Sequence, residues 1–519
     1  MSQSVFTKLK QQEKKEEEKQ LGSHPVQPKV RSKLSNKVSD NLDTLKNAIG
    51  NPEDLNLRYI SIGKLQKKCG IAYLSGITDT NMINQDIIQT LQQNLKEMEG
   101  SPLENVKLEM IAVSSVAELN DMKEIINLVL NGQTVFFLEE EENALVIGTS
   151  GGDKRAIEQP QSENLIQGPR EGFVESLEVN LALIRRNIRD PNLRFKAYEV
   201  GTRSKQKLVL CYVEDVINPQ ILEEVIYRLE SIELEYITDV SQIEQWIEDS
   251  SLSPFPQMLG TERPDKVAFE VLHGRFAVLV DGTPFSAIGP VVLSDINKSM
   301  EDYNQRWITA SLLRILRVIA SLIALFLPGV YIAMVLFHPG MLPTTLVFSI
   351  AASREGMPFS AIAEIFLMAA TFEMLQEAAI RLPRIIGQTI GIVGGIVIGE
   401  AAVSAGIASP IIVIITALTA IASFCSPYYS VAISFRAVRF GVMLICALLG
   451  LFGLILALLV LIIHVTNLKS FGVPYSFTVL PAVKQDMMDN IIRGPITKVE
   501  EQYIFLQDEL KDPNKQRNE

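Results

Sequence analysis

Four carboxylates lie within residues 364–400, EIFLMAATFEMLQEAAIRLPRIIGQTIGIVGGIVIGE, which are otherwise mostly apolar. They are Glu364, Glu373, Glu377 and Glu400, and the longer stretch from residue 318 to residue 468 contains no Asp and no Lys. A charge at the centre of a bilayer costs about 2.5–3.5 kcal/mol on insertion scales, so such residues usually face a bundle interior or a water path. The stretch therefore predicts a helical membrane domain that moves or senses something across a bilayer.

Composition excludes several classes of protein. The net charge of −12 and the pI of about 5.1 argue against nucleic acid as a partner. The four cysteines and four histidines are scattered and form no CxxC pair, so neither a disulfide framework nor a metal site is predicted. The chain also lacks HExxH and GxSxG motifs, and nothing in it indicates an enzyme or a cofactor.

Changes in pattern along the chain predict five regions. Residues 1–50 are polar and are expected to form a disordered tail. Strand-like and helix-like segments alternate over residues 51–160 and 161–300, which predicts two small α/β subdomains. Residues 301–468 form the all-α polytopic membrane domain, and residues 469–519 form a polar C-terminal tail. The first 20 residues have no apolar core of a signal peptide, so the subdomains are expected to be cytoplasmic.

Five apolar segments are candidates for membrane spans: residues 318–337, 359–380, 385–409, 411–425 and 441–466. Arginines before the first segment, after the second and before the last would lie on the cytoplasmic side. Four spans up to residue 425 fit that rule. The last span would then place the C-terminal tail outside, unless one segment is re-entrant, and the sequence leaves this choice open.

The four carboxylates are our candidates for an ion pathway. Glu373, Glu377 and Arg381 follow at i, i+4 and i+8 and share one helix face, whereas Glu364 lies about half a turn out of phase. One interpretation is a cation path or a charge-lined vestibule. The other is an interhelical ion pair together with a carboxylate that snorkels to the membrane surface.

Glycines recur every four residues at Gly387, Gly391, Gly395 and Gly399. Such a stripe lets two helices approach closely, which predicts tight helix packing and a homo-oligomer formed through the membrane helices. Glu400 adjoins this stripe and is consistent with either packing or a pore.

Several strings together resemble the A-subunit family of spore germinant receptors, over roughly residues 50–500. They are QGPREGFVESLEVNLALIRRNI (167–188), VGTRSKQKLVLCYVEDVINP (200–219), SPFPQMLGTERPDKVAFEVLHGRFAVLVDGTPF (253–285), SMEDYNQRW (299–307), EMLQEAAIRLPRIIGQTIGIVGGIVIGEAAVSAGIASP (373–410), TALTAIASF (416–424) and SFGVPY (470–475). The resemblance implies a receptor in the inner membrane of bacterial spores that responds to nutrients. It also implies a polytopic B-type subunit and a lipoprotein C-type subunit as partners, and an A subunit that oligomerises into a cation channel.

The chain departs from this family pattern in two places. Gln376 and Ala379 stand where the resemblance implies Arg and Gly, and Glu400 stands where it implies Gln. The first change removes a basic group near Glu373 and Glu377, and the second adds a charge. Two other functions remain open at this point, namely an ion-coupled secondary transporter and a membrane scaffold that docks other subunits.

Overall fold

The computed structural model of the chain describes residues 32–62, 67–89, 106–107, 115–151, 159–381, 395, 397–477, 489 and 491–495. Its helices are α1 (Val38–Ile49), α2 (Met122–Leu130), α3 (Leu177–Asn187), α4 (Pro219–Glu230), α5 (Val240–Ile247), α6 (Pro264–Leu272), α7 (Met300–Asn304), α8 (Trp307–Ile332), α9 (Thr344–Ser353), α10 (Ala361–Arg381), α11 (Pro410–Ser423) and α12 (Tyr429–Asn467). Its strands are β1 (Leu55–Ile62), β2 (Lys67–Leu74), β3 (Val116–Leu119), β4 (Thr134–Leu138), β5 (Ala144–Ile147), β6 (Leu193–Val200), β7 (Gln206–Val213), β8 (Leu259–Thr261), β9 (Phe276–Val280), β10 (Ser286–Gly289), β11 (Lys469–Ser470) and β12 (Val473–Pro474). Two sheet-and-helix subdomains followed by a helical region confirm the predicted fold class.

The first subdomain is an antiparallel five-stranded sheet in the order β1-β2-β4-β5-β3. Helices α1 and α2 cover one face through apolar side chains such as Leu42, Leu45 and Val129, which recur at helical spacing. A π-helical segment, Met82–Ile88, covers the other face. The sheet is therefore buried on both sides.

Helix α1 lies within residues 1–50, and for residues 38–49 the expectation of a disordered tail is wrong. Leu45 and Ile49 are fully buried against the sheet. Charged residues such as Asp40 and Lys46 occupy the outer part of the same helix. Because these charges alternate in sign between the apolar positions, the composition of the segment hid its helical period.

The second subdomain repeats the topology of the first, with the strand order β6-β7-β9-β10-β8. Helices α3 and α6 pack on one face of this sheet, and α4 and α5 pack on the other. A buried ion pair joins the two subdomains, with 3.0 Å between Nε of Arg185 on α3 and Oδ2 of Asp54 before β1. The repeat is one of topology, and the sequence analysis did not detect it.

Helix α5 carries Glu244, whose Oε1 is buried without a hydrogen-bond partner among the described residues. Burial, together with the nearby Glu248 and Asp239 carboxylates, raises the pKa of Glu244 from 4.5 to about 8. The contribution of the neutral Glu244 carboxyl group to the free energy of unfolding is fully present below the pKa of this group in the unfolded chain. It is lost as the pH rises through the pKa of the group in the folded chain. We therefore expect Glu244→Gln to raise the thermal midpoint progressively between about pH 5 and about pH 8.

The expected gain at the upper end is roughly 10 °C or more, since one pKa unit corresponds to ~1.4 kcal/mol and the pKa rises from 4.5 to about 8. Trp246 lies on the same helix, and the chain has only two tryptophans, so fluorescence can follow the unfolding of this subdomain. The same gain at both ends of the pH range would contradict the assignment of the shift to Glu244.

The described part of the helical region holds two stretches that are long and apolar enough to cross a membrane, Trp307–Phe337 and Tyr429–Asn467. Two shorter apolar helices, α9 and α11, and the carboxylate-bearing α10 complete the region as far as it is described. Helices α8, α10, α11 and α12 share one apolar core. Part of the predicted segment 385–409 lies outside the described residues.

Helix α12 is a hairpin of two helical arms that meet at Gly450. Gly450 has φ 60° and ψ −135°, and a Cβ at Gly453 would lie 2.5 Å from the carbonyl oxygen of Ile445, eight residues earlier. Residues eight apart in a straight helix are about 12 Å apart along the axis. Farther along, Ala457 packs with Val442 in one apolar cluster. The chain therefore reverses at Gly450 into an ascending arm (residues 429–449) and a returning arm (residues 451–467).

After the returning arm, the chain docks on the second subdomain. Phe471 is 3% exposed within the core of that subdomain, and the hydroxyl of Tyr475 donates to the carbonyl of Pro256 over 3.1 Å. The backbone N–H of Leu293 donates to the carbonyl of Tyr475 over 2.7 Å. Residues 469–477 thus lie beside the subdomains, and the first part of the expected polar tail is packed. Within the chain, the hairpin therefore returns the start of this tail to the second subdomain.

Candidate functional site

Glu364 is buried where three helices of the helical region meet. It lies in the first turn of α10 and is 1% exposed. Its Oε1 accepts a hydrogen bond from Nη2 of Arg354, after α9, over 3.2 Å, and its Oε2 accepts from the backbone N–H of Ser409, before α11, over 3.0 Å. A buried carboxylate is tolerated when it is paired and hydrogen-bonded in this way. Glu364 on α10 therefore links this helix to the end of α9 and to the start of α11 through its hydrogen bonds.

Glu373 lies nine residues farther along α10, about 14 Å along the helix axis. Two arginines from the ascending arm converge on it: Arg436 donates to Oε2 over 3.3 Å, and Arg439 donates to Oε1. Arg436 also donates to Oε1 of Gln376 over 3.1 Å. An arginine at position 376 could not accept this bond, so Gln376 fits the two cations on the neighbouring helix. In the described part of the chain, Glu373 is a member of an interhelical ion pair.

Glu377 and Glu400 lie on the surface of the protomer. Glu377 pairs with Arg381 one turn later over 2.6 Å, but the two side chains remain 57% and 78% exposed. Glu400 is also exposed, within the helical segment of residues 397–404 that precedes α11. The structure thus places the four carboxylates in three environments. Glu364 is buried and bonded to residues of two neighbouring segments, Glu373 belongs to an interhelical ion pair, and Glu377 and Glu400 are exposed.

Comparison with known sequences decides the family. Residues 43–503 match the family described as Bacillus/Clostridium GerA spore germination protein. The chain belongs to this family. The resemblance drawn from the strings in the sequence is confirmed, and most of the chain takes part in the match.

Similar members of the GerA family match this chain over most of both lengths. Spore germination protein GerLA of Bacillus cereus is 42% identical over 474 residues, which cover 91% of this chain and 96% of the relative. Spore germination protein B1 of Bacillus subtilis is 39% identical over 462 residues, with 89% and 95% covered. A crystal structure is also similar, that of the N-terminal domain of the A subunit of the Bacillus megaterium spore germinant receptor GerK3. Its sequence is 28% identical and the TM-score is 0.41, and the match covers 51% of this chain and 99% of the crystallised chain.

The glycine stripe of this GerA-family chain is described only in part. Gly387 and Gly391 lie outside the described residues. Among the described residues, a Cβ at Gly395 would meet no atom within 4 Å, and one at Gly399 would meet Val413 at 3.4 Å, an ordinary contact. The described half of the stripe therefore leaves open space at Gly395 on the surface of the protomer, and tight packing there stays a prediction.

The sequence analysis missed the charged junction between the subdomains and the helical region. Arg314 on α8 is fully buried, with Nε 3.0 Å from Oδ2 of Asp302 and Nη1 2.8 Å from Oδ1 of Asp489. Burial alone would raise the pKa of Asp489, but Lys298 and Arg314 hold it below its usual range. Arg314 is one of the arginines before the first apolar segment, which the sequence pattern marks only as cytoplasmic. The signal that was available is the motif SMEDYNQRW, which supplies Asp302.

A second polar contact joins the subdomains to the turn between α11 and α12. Lys266 on α6 is 3% exposed; its Nζ lies 3.0 Å from Oε1 of Glu163 and 4.0 Å from the centre of the Tyr428 ring. Burial opposes the charge of Lys266, but Glu163 and Tyr428 raise its pKa above the ordinary value. The helical region is thus held to the subdomains at both α8 and α12.

Proposed function

We propose that the chain is an A-type subunit of a nutrient germinant receptor in the inner membrane of bacterial spores. Its helical region would oligomerise and contribute to a gated cation channel, in a complex with a polytopic B-type subunit and a lipoprotein C-type subunit. The observation that carries the channel is the exposure of Glu377 and Glu400 on a bundle of apolar helices. The family supports a role in spore germination.

The apolar helices support the proposed membrane arrangement. The stretch Trp307–Phe337 begins at the subdomains, and α12 leaves from them and returns to them. The two arms of the hairpin have 21 and 17 residues by their bounds, so each is about 25–32 Å long, close to the thickness of the hydrocarbon core. With both ends of the helical region on one side, the subdomains and residues 469–477 would both face the cytoplasm.

We assign different roles to the four carboxylates. Glu364 and Glu373 are satisfied by partners within the protomer, so they hold the helices in place. Glu377 and Glu400 are exposed, and an exposed carboxylate facing hydrocarbon is costly. In an oligomer the same two residues of neighbouring copies would meet around a shared water path. Negative charge along such a path raises the local concentration of cations.

The double variant Glu377→Gln with Glu400→Gln tests this assignment, because it keeps the shapes and removes both charges. We expect a normal amount of protein in the spore membrane and cation release after nutrient addition that is slower by about tenfold or more. Potassium release from spores that carry each variant is the measurement. Glu355→Gln is the control, since Glu355 is also exposed in the helical region but lies in the loop after α9.

Release at the wild-type rate in the double variant would remove these two residues from the pathway. If the double variant instead failed to accumulate, the two carboxylates would be structural. A scaffold function would then be the better account of the helical region.

Replacing Gly395 by leucine tests the homo-oligomer. A Cβ at this position meets no atom of the described residues within 4 Å, so the side chain should not disturb the fold of a single chain. We expect a smaller oligomer, because leucine keeps two helices from approaching closely. The measurement is the mass of the detergent-solubilised complex. Gly441→Leu is the matched control, since it is also helical and open but lies outside the stripe. An unchanged mass for Gly395→Leu would exclude this contact.

A further inference from the structure

A cavity of about 700 Å³ lies between the second subdomain, α8 and the α12 hairpin. Its walls are mostly apolar and include Leu325 and Phe326 from α8, Phe435 from the ascending arm, and Leu461 and Val465 from the returning arm. The volume falls within the range of about 300–1,000 Å³ that is typical of ligand pockets. None of the four candidate carboxylates lines it.

The end of the cavity near the subdomain is polar. Ser294 lines this end and is 8% exposed, yet its hydroxyl has no hydrogen-bond partner among the described residues. Asn297 and Ser476 line the cavity as well. A buried hydroxyl is normally hydrogen-bonded, and an unmade bond costs about 1–3 kcal/mol. The cavity therefore offers an unused polar contact next to a long apolar space.

The cavity opens sideways between α8 and the returning arm. Leu322 on α8 and Leu458 and Ile462 on the returning arm line it and are 51%, 43% and 46% exposed. Both helices belong to the two stretches that are apolar and long enough to cross a membrane. If the helices are inserted, this opening faces the hydrocarbon next to the cytoplasmic surface.

We propose that the cavity binds one membrane glycerophospholipid. An acyl chain would enter between α8 and the returning arm, and an ester or glycerol oxygen would accept the hydrogen bond of Ser294. The inference rests on the membrane insertion proposed above. A helix of another chain fits less well, because a helix about 10 Å wide would fill this volume with only about six residues. The lipid would fill the space that separates the second subdomain from the two helices that contact it.

Photo-crosslinking tests the site. The full chain in bilayers is labelled with a phospholipid that carries a diazirine on its acyl chain, and the labelled residues are mapped by mass spectrometry. We expect labels on cavity residues such as Leu325 and Leu461. Leu461→Trp should fill the space and reduce this labelling by about tenfold. Leu459→Trp is the control, because Leu459 lies on the same arm, is 50% exposed and does not line the cavity.

Labels confined to outward-facing residues in the wild-type chain would overturn the proposal, and this readout needs no variant to fold. Unchanged cavity labelling in Leu461→Trp, or cavity labelling by a free diazirine fatty acid but not by the phospholipid, would also overturn it. Extraction of the chain from membranes by alkaline carbonate would instead contradict membrane insertion itself. A chain that resists extraction but shows no cavity label contradicts only the lipid site.

Discussion

Replacing Gly450 by valine is expected to prevent the α12 hairpin from closing and to deplete the chain from membranes. Gly450 has φ 60° and ψ −135°, a conformation that side chains with a Cβ rarely adopt. A Cβ there would also lie 2.7 Å from Cγ of Phe337, at the end of the α8 stretch. Backbone strain costs about 1–3 kcal/mol and overpacking costs a further 1–3 kcal/mol or so. The sum is a large part of the stability of a typical domain.

The hairpin can be measured directly by cross-linking cysteines placed at Val438 and Leu461, which pack against the same apolar cluster from the two arms. We expect efficient cross-linking in the parent chain and at least a fivefold or so reduction in Gly450→Val. Gly441→Val is the control, because it adds the same side chain to the ascending arm where a Cβ meets nothing within 4 Å. Equal cross-linking and equal membrane levels in both variants would mean that α12 does not turn back at Gly450.

Arg314→Met is expected to produce the second large effect, a loss of about 3–5 kcal/mol at the junction of the subdomains with α8. Arg314 is fully buried between Asp302 and Asp489. Asp302 retains Arg317 at 2.8 Å, so part of the network persists. Removing one member leaves the carboxylates of the junction short of a buried cation, which costs more than the net stabilisation from the intact pair.

Hydrogen exchange of α7 and of the first turns of α8 measures this loss, because opening the junction exposes their backbone amides. Arg381→Met is the matched control: it removes an arginine from an ion pair that is largely exposed and therefore contributes less than about 1 kcal/mol. Similar exchange in Arg314→Met and in the parent chain would show that the junction does not depend on this ion pair.

Particular residues show how much of the structure could be predicted from the sequence. The apolar segments of the sequence located α8, α10, α11 and α12. The charged residues that interrupt these segments identified the carboxylates. The partners of the carboxylates were beyond the sequence, because Glu364 binds Ser409, 45 residues away, and Glu373 binds Arg439, 66 residues away. Such pairings depend on how helices pack, and no local pattern encodes them.

The hairpin was hidden for a different reason. Both arms of α12 are apolar, and the residues around the turn, LLGLFGL (448–454), continue the apolar run without a polar loop. The only local sign is Gly450, which was indistinguishable from a packing glycine. Similarly, the two sheets share one topology without a sequence repeat, because a strand order is set by pairing across the sheet and not by residue identity.

Cation flux through the purified chain tests the central claim most directly. The chain is reconstituted into liposomes, alone and with the proposed B-type and C-type subunits, and potassium flux is recorded before and after nutrient addition. We predict flux from an oligomer of the wild-type chain and a reduction of about tenfold in the double variant Glu377→Gln with Glu400→Gln. Assembled oligomers that carry no cations under either condition, or a double variant that conducts like the wild type, would contradict this account of the helical region.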